Sequence, residues 1–156
     1  MLNAMKDLSA TATDVAPAPI ERCFALLADV ERYPDWYPAG VKRVEVLERD
    51  PDGLPSLVAA LLSLGDGPIR KDFDLRLAVT STSPSGVELT RDKQNAAGGE
   101  HMVVSWALAE DGATGTRLTV ELEAALNLPP FLPVGAIAQS VADGFLAAAV
   151  AKLATE

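Results

Sequence analysis

Beyond Gly40 apolar and polar residues alternate, beginning with Val44 and Val46 against Arg43 and Glu45, and the alternation persists to about Ala124. A period of two sends successive side chains to opposite faces, so this stretch predicts an antiparallel meander with one face on a core. The cleanest strand sets Ile69, Phe73, Leu75, Leu77 and Val79 against Arg70, Asp72, Asp74 and Arg76. Val87 and Leu89 continue the inward face, as do Met102, Val104, Trp106 and Leu108, then Leu118, Val120, Leu122 and Ala124. Turn signals separate these runs at Asp50-Pro51-Asp52-Gly53, Gly65-Asp66-Gly67-Pro68, Ser83-Pro84-Ser85-Gly86, Ala96-Ala97-Gly98-Gly99 and Asp111-Gly112-Ala113-Thr114-Gly115. Leu57 to Leu64 is almost wholly apolar and predicts a strand covered on both faces. With a first strand over Ser9 to Val15, the expected total is seven.

Between the first strand and the meander the period lengthens. Pro17 and Pro19 stop the strand, and Pro19 opens a helix that carries Ile20, Cys23, Phe24 and Leu27 on one face to about Ala28. Asp29 is placed to cap a second short helix that Pro34 ends, leaving Asp35-Trp36-Tyr37-Pro38 as an aromatic loop. From Val134 to about Thr155 the chain is alanine-rich and free of proline, predicting a long helix. Val134, Ile137, Ala138, Val141, Gly144, Phe145, Ala148 and Ala149 fill one arc, and Gln139, Ser140 and Asp143 lie opposite. Leu146, Val150 and Leu153 fall outside the arc and are expected to face outward, while a pocket is expected beneath the gaps at Gly144 and Ala148. The predicted class is α+β, with residues 1–156 forming one domain in which the long helix lies across a curved antiparallel sheet.

Composition bears on function mainly by exclusion. A chain of 156 residues can bury one core, and with 49% hydrophobic but only 5% aromatic residues its interior is built from Ala, Val and Leu, which can leave room inside. The net charge of −9 is opposite to what phosphates attract, so nucleic acid and anionic membrane surfaces are not expected partners. Asn127, Gln139, Ser140 and Asp143 interrupt the most apolar region and the N-terminus lacks a secretory pattern. No transmembrane segment and a cytoplasmic location are expected. Cys23 and His101 are the only residues of their types, so neither an internal disulfide nor a metal site is expected, and no cofactor is implied.

Strand phase turns Lys71 inward with Phe73, and Arg91 inward with Leu89. Folding the meander as hairpins is expected to bring Lys71, Arg91 and Glu100 to one end of the sheet. Such a cluster either binds a carboxylate, phosphate or phenolate head group, or Lys71 and Arg91 pair with Glu100 or reach solvent past the strand ends on their long stems. His101 and Ser105 fall on the outer face, so no Ser-His-Asp arrangement arises, and Asp35, Asp66 and Asp74 form no carboxylate pair. No catalytic residue is assigned. Cys23 belongs to an apolar helix face as an inert thiol. Trp36 and Tyr37 either cover a pocket mouth or anchor the helix pair, and Trp106 is cavity wall or core.

The order of strand, two short helices, six-stranded meander and long C-terminal helix resembles the helix-grip fold of the START-like (SRPBCC) superfamily, in particular its bacterial polyketide cyclase/dehydrase and lipid-transport members. The likeness is carried by Ala16-Pro17-Ala18-Pro19-Ile20-Glu21, by Leu27-Ala28-Asp29-Val30-Glu31-Arg32-Tyr33-Pro34-Asp35-Trp36, and by the hairpin from Trp106 to Thr116-Arg117-Leu118. This resemblance implies a cavity between sheet and long helix, entered near the second helix. Together with strand phase it nominates Trp36, Lys71, Phe73, Leu75, Leu89, Arg91, Met102, Val104, Trp106, Ile137, Val141, Gly144 and Phe145 as ligand-binding residues. The expected function is a carrier or sensor of a lipid, quinone or polyketide-like molecule. A polyketide cyclase or aromatase using the same cavity is one alternative. The other is an interaction module, or homodimer, docking through Leu146, Val150 and Leu153.

Overall fold

The computed structural model describes residues 4–66, 69–91, 101–128 and 133–155. Its elements run β1 (Ala4–Ala16), α1 (Ile20–Ala28), a 3-10 turn (Val30–Arg32), α2 (Tyr33–Trp36), β2 (Val41–Arg49), β3 (Pro55–Asp66), β4 (Ile69–Thr82), β5 (Gly86–Arg91), β6 (His101–Asp111), β7 (Gly115–Leu128) and α3 (Val134–Ala154). Among the described residues the strands form one antiparallel sheet in the order β1-β7-β6-β5-β4-β3-β2. The helices after β1 carry the chain to the far edge, and the meander returns until β7 pairs with β1 from Ala4↔Leu128 to Ala16↔Thr116. This is the α+β helix-grip architecture, with α3 lying mainly against β1 and β7.

Each strand keeps one face dry. Phe73, Leu75, Leu77 and Val79 of β4 are buried while Asp72, Asp74 and Thr80 are exposed, and in β7 Leu118, Val120, Leu122 and Ala124 are buried against exposed Arg117, Glu121 and Glu123. In β3, Val58 and Ala60 are buried, with Leu57, Ala59 and Leu61 half-buried on the other face. A register shift between Val41 and Arg43 in β2 breaks the alternation, so that Val41 and Val44 both turn inward. Two expected turns, those at Asp50–Gly53 and Asp111–Gly115, put Gly53 and Gly112 at positive φ, where a Cβ is disfavoured. The Ala96–Gly99 turn lies outside the described residues.

The short helices differ from expectation. Pro34 stands in the first turn of α2, where its missing N–H costs nothing, and so begins this helix instead of ending one. Trp36 therefore belongs to α2. Asp29 makes no side-chain cap and instead pairs with Arg32 at 3.3 Å.

Helix α3 is rotated from the arc its sequence predicts. Ala138, Ala142, Phe145, Leu146, Ala149 and Leu153 are buried, while Val134, Ile137, Val141, Gly144 and Ala148 are only half-buried. Leu146 is 5% and Leu153 1% exposed, which removes the expected outward docking stripe. With alanine on every side, hydropathy does not fix the phase of this helix. Contacts at both ends do: Gln139 donates to the Thr11 carbonyl at 3.2 Å, and Arg22 of α1 donates to the Leu153 carbonyl at 2.9 Å, satisfying an end carbonyl. By length and apolar composition α3 is long enough to cross a membrane, but its buried stripe faces the sheet.

Leu146→Glu is expected to destabilise the fold by about 3 kcal/mol or more, because an uncompensated charge would enter the core, whereas Ala147→Glu on the exposed side should change stability by less than about 0.5 kcal/mol. Urea unfolding of both variants decides it. Equal midpoints would contradict the observed phase of α3.

Candidate functional site

The chain has 2 Trp, 2 Tyr and 4 Phe. Both tryptophans, both tyrosines and Phe145 meet between α2, α3 and β6. Phe145 stacks on Tyr37 at 4.8 Å and on Trp36 at 5.5 Å between ring centroids, and it meets Tyr33 and Trp106 edge-on at 5.4 and 4.9 Å. Stacked and edge-on pairs of this kind add about 0.5–1.5 kcal/mol each beyond area burial. Trp36 and Tyr37 thus hold α2 to α3, and Trp106 ties the cluster to the sheet. The Tyr33 hydroxyl donates to the Leu27 carbonyl, fixing α2 to the end of α1.

Beside this cluster a cavity opens between sheet and α3. Every strand of the meander contributes: Val41 and Val44, Ala60, Leu62 and Ser63, Leu77, Leu89, Met102 and Val104, Val120 and Leu122. Val141, Ala142 and Phe145 of α3 roof it, and Val30, Tyr33, Tyr37 and Gly40 close one side. Room for the centres of water-sized molecules amounts to about 60 Å³, inside an envelope of about 700 Å³ that also counts solvent at the mouth. The cavity's free volume of about 60 Å³ is far below the roughly 300–1,000 Å³ of ordinary ligand pockets.

Tyr37 explains part of the shortfall. Its ring lies between two glycines: a Cβ on Gly40 would stand 2.5 Å from Tyr37 Cε2, and one on Gly144 would stand 3.3 Å from Tyr37 Oη. The space expected beneath Gly144 is therefore taken by this ring. Its hydroxyl reaches the Val141 carbonyl at 3.4 Å, a long and weak bond.

Leu89, Met102, Val104, Val141 and Phe145 of the nominated residues line the cavity, together with Tyr37, which the sequence offered as a cover for the pocket mouth or an anchor, and with Gly40 and Ser63, which it did not mark. Trp36 and Trp106 stand behind Phe145 in the ring cluster, and Phe73 and Leu75 are buried in β4 away from the lining. Ile137 and Gly144 are half-buried on α3 and do not line it. Lys71 and Arg91 are not brought together. Arg91, 8% exposed, pairs in register with Leu77, so six positions of β4, roughly 20 Å, separate it from Lys71. Glu100 lies outside the described residues.

The other chemically capable groups are elsewhere. His101 is exposed on the convex face, 3.8 Å from Glu123, and Ser105 reaches Glu88 there at 3.4 Å. Burial pushes the Cys23 thiol above its ordinary pKa despite the opposing Thr116 hydroxyl, and its Sγ faces the Ala18 carbonyl, so it is a core thiol.

The family model for polyketide cyclase/dehydrase and lipid transport matches residues 16–150. The chain belongs to this family. Its fold is shared with a START superfamily protein from Mycobacterium smegmatis, at 20% identity and TM-score 0.78 over 94% of this chain and 97% of that one. A conserved protein from Geobacillus kaustophilus matches at 16% identity and TM-score 0.71 over 95% and 96%. The Zhui aromatase/cyclase from Streptomyces sp. R1128 matches at 18% and 0.57 over 96% and 88%. Among curated proteins none matches the sequence. At these identities the structural neighbours establish the fold alone, one that an aromatase/cyclase shares with the START superfamily protein.

Burial raises the pKa of both tyrosines, since a phenolate loses its hydration in an apolar site. Raised folded-state values mean that stability is complete below the ordinary tyrosine value of 10.0 and declines as pH rises above it, the unfolded chain releasing its phenolic protons first. Ultraviolet titration of the phenolate band should therefore show neither tyrosine ionising at its ordinary pH in the folded protein. Tyr37→Phe should leave one transition, that of Tyr33, tied to unfolding. Ordinary titration of both would contradict the packing described.

Proposed function

We propose that this chain binds a hydrophobic small molecule, of lipid, quinone or polyketide-like type, between its sheet and α3, and acts as a carrier or sensor. The observation that carries the reading is the lining: apolar side chains from β2 through β7 and α3 converge on one enclosed space, with no charged side chain among the described residues that line it. Membership of a family whose description includes lipid transport supports it. A cyclase would need groups that move protons or stabilise an enolate at the substrate. His101 and its Glu123 partner lie on the convex face instead, so binding is favoured over turnover.

Loading entails movement, because about 60 Å³ admits only a few water-sized groups. Tyr37 is the ring that swings. It is half-buried, held by stacking and by one long hydrogen bond, and it stands at the side of the cavity nearest α2.

Native mass spectrometry of the purified protein is expected to reveal a co-purifying apolar compound, or uptake of a neutral solvatochromic dye where the protein arrives empty. Val141→Trp, which fills the cavity from its roof, should lower that occupancy at least about tenfold, the equivalent of ~1.4 kcal/mol, while circular dichroism remains unchanged. A parent protein that carries nothing and takes up no dye would sink the proposal.

A further inference from the structure

The stripe of α3 expected to receive a second copy is buried, but the sheet has two outer strands, and they differ in how their edges are guarded. Strand β2 has three register shifts and carries Lys42, Arg43, Glu45, Glu48 and Arg49 within nine residues, devices that discourage further pairing. Strand β1 runs 13 residues against β7 without a shift, contains no proline, and from Leu8 to Thr13 carries no charge. Among the described residues three large apolar side chains are exposed, and two of them, Met5 at 42% and Val15 at 39%, stand near the ends of β1.

The backbone of β1 shows which residues an added strand would meet. The Val15 N–H donates to the Asp14 carboxylate at 2.8 Å, and the Thr11 carbonyl accepts from the Gln139 side chain at 3.2 Å, so both groups point away from β7. By the period of two, Met5, Asp7, Ser9 and Thr13 present their N–H and C=O on this same edge. Gln139 occupies one lone pair of the Thr11 carbonyl, and the second remains for another donor. We propose that this edge pairs with a second copy of the chain, β1 antiparallel to β1 about a two-fold axis at Ala10. Outward-pointing residues must face one another, so the axis passes through a residue, and the central choices are Ser9, Ala10 and Thr11. About Ala10, Met5 faces Val15, Lys6 faces Asp14, Asp7 faces Thr13, Leu8 faces Ala12 and Ser9 faces Thr11, each twice by symmetry. The two exposed apolar residues then cover each other and a cation meets a carboxylate, the cross-strand pairs that stabilise sheets. An axis at Ser9 sets Met5 against Thr13 and Lys6 against Ala12, and one at Thr11 sets Val15 against Asp7 and Asp14 against Leu8. Only the Ala10 register is self-complementary. In it the Val15 N–H exchanges the Asp14 carboxylate for a main-chain carbonyl, releasing Asp14 to Lys6 of the second copy.

Sedimentation equilibrium of the full chain is expected to show monomer and dimer exchanging with concentration, since one strand pair is a small interface, of the class below about 1,200 Å². Lys6→Asp and Asp14→Lys should each weaken the dimer about tenfold, because every dimer then contains two like-charge pairs. Asp14→Lys also reduces the net charge of −9, so weaker association in that variant does not come from general repulsion. Mixing the two variants should bring association back to within about threefold of the parent, as both contacts again join opposite charges. Thr11→Pro removes an outward N–H that β7 does not use, and it should abolish the dimer while circular dichroism stays that of the parent. Should that variant fail to fold, the two charge reversals and their mixture carry the test by themselves. A parent that remains monomeric up to its solubility limit, single variants that dimerise as the parent does, or a mixture no more associated than its components would overturn the pairing.

Discussion

Phe145 is the side chain on which the second helix, the sheet and the long helix converge. It touches both tyrosines and both tryptophans, in a chain whose interior is otherwise mostly aliphatic. Helix α2 is a single turn with no side-chain cap and cannot persist on its own hydrogen bonds. Its position is set from outside, by rings stacked on Phe145 and by the Tyr33 hydroxyl on the Leu27 carbonyl. One wall of the cavity therefore depends on aromatic packing, whereas the sheet wall depends on a continuous ladder of backbone hydrogen bonds.

The same helix explains why the cavity lies where it does. Alanines at 138, 142 and 149 are buried along α3, and their short side chains let it approach β1 and β7 closely. Phe145 shares that buried face, and with Val141 and Ala142 it reaches over the meander as the roof of the cavity. No described residue of β1 lines the cavity, and every strand from β2 to β7 does. A helix pressed down on one edge of a curved sheet and propped by rings over the rest leaves a wedge-shaped space. The Gln139–Thr11 and Arg22–Leu153 hydrogen bonds hold it in that attitude.

Strand existence and facing were legible because most strands of the meander have one wet face, as Asp72 and Asp74 show against Phe73 and Leu75, the apolar β3 being the exception. That alternation also put Leu89, Met102 and Val104 on the cavity side. Three kinds of information were absent. An alanine-rich helix reads alike from several sides, so the burial of Leu146 and Leu153 is decided by contacts far away in sequence. The grouping of Lys71 with Arg91 required a register, and the short hairpin that sets Thr82 against Gly86 carries Arg91 only as far as Leu77. Tyr37 and Gly40 meet through the fold of a proline-bounded loop, which a backbone hydrogen bond from Ser63 of β3 to the Gly40 carbonyl ties to the sheet. A lone serine in the apolar run from Leu57 to Leu64 was the available signal, and strand phase by itself assigns it no cavity.

Where the molecule can open follows from what holds each wall. Parting β2 from β3 or β6 from β7 breaks backbone hydrogen bonds in rows, each costly once its groups are buried. Lifting α3 exposes its apolar stripe along the whole of β1. Moving Tyr37 breaks one 3.4 Å contact and slides a ring along stacked faces, a motion that dispersion resists weakly because it is not directional. The two glycines that pack against this ring carry no side chain to obstruct it. An apolar ligand entering there would exchange one set of ring contacts for another. The weakest wall of the cavity is thus the one built from stacked rings rather than from backbone ladders.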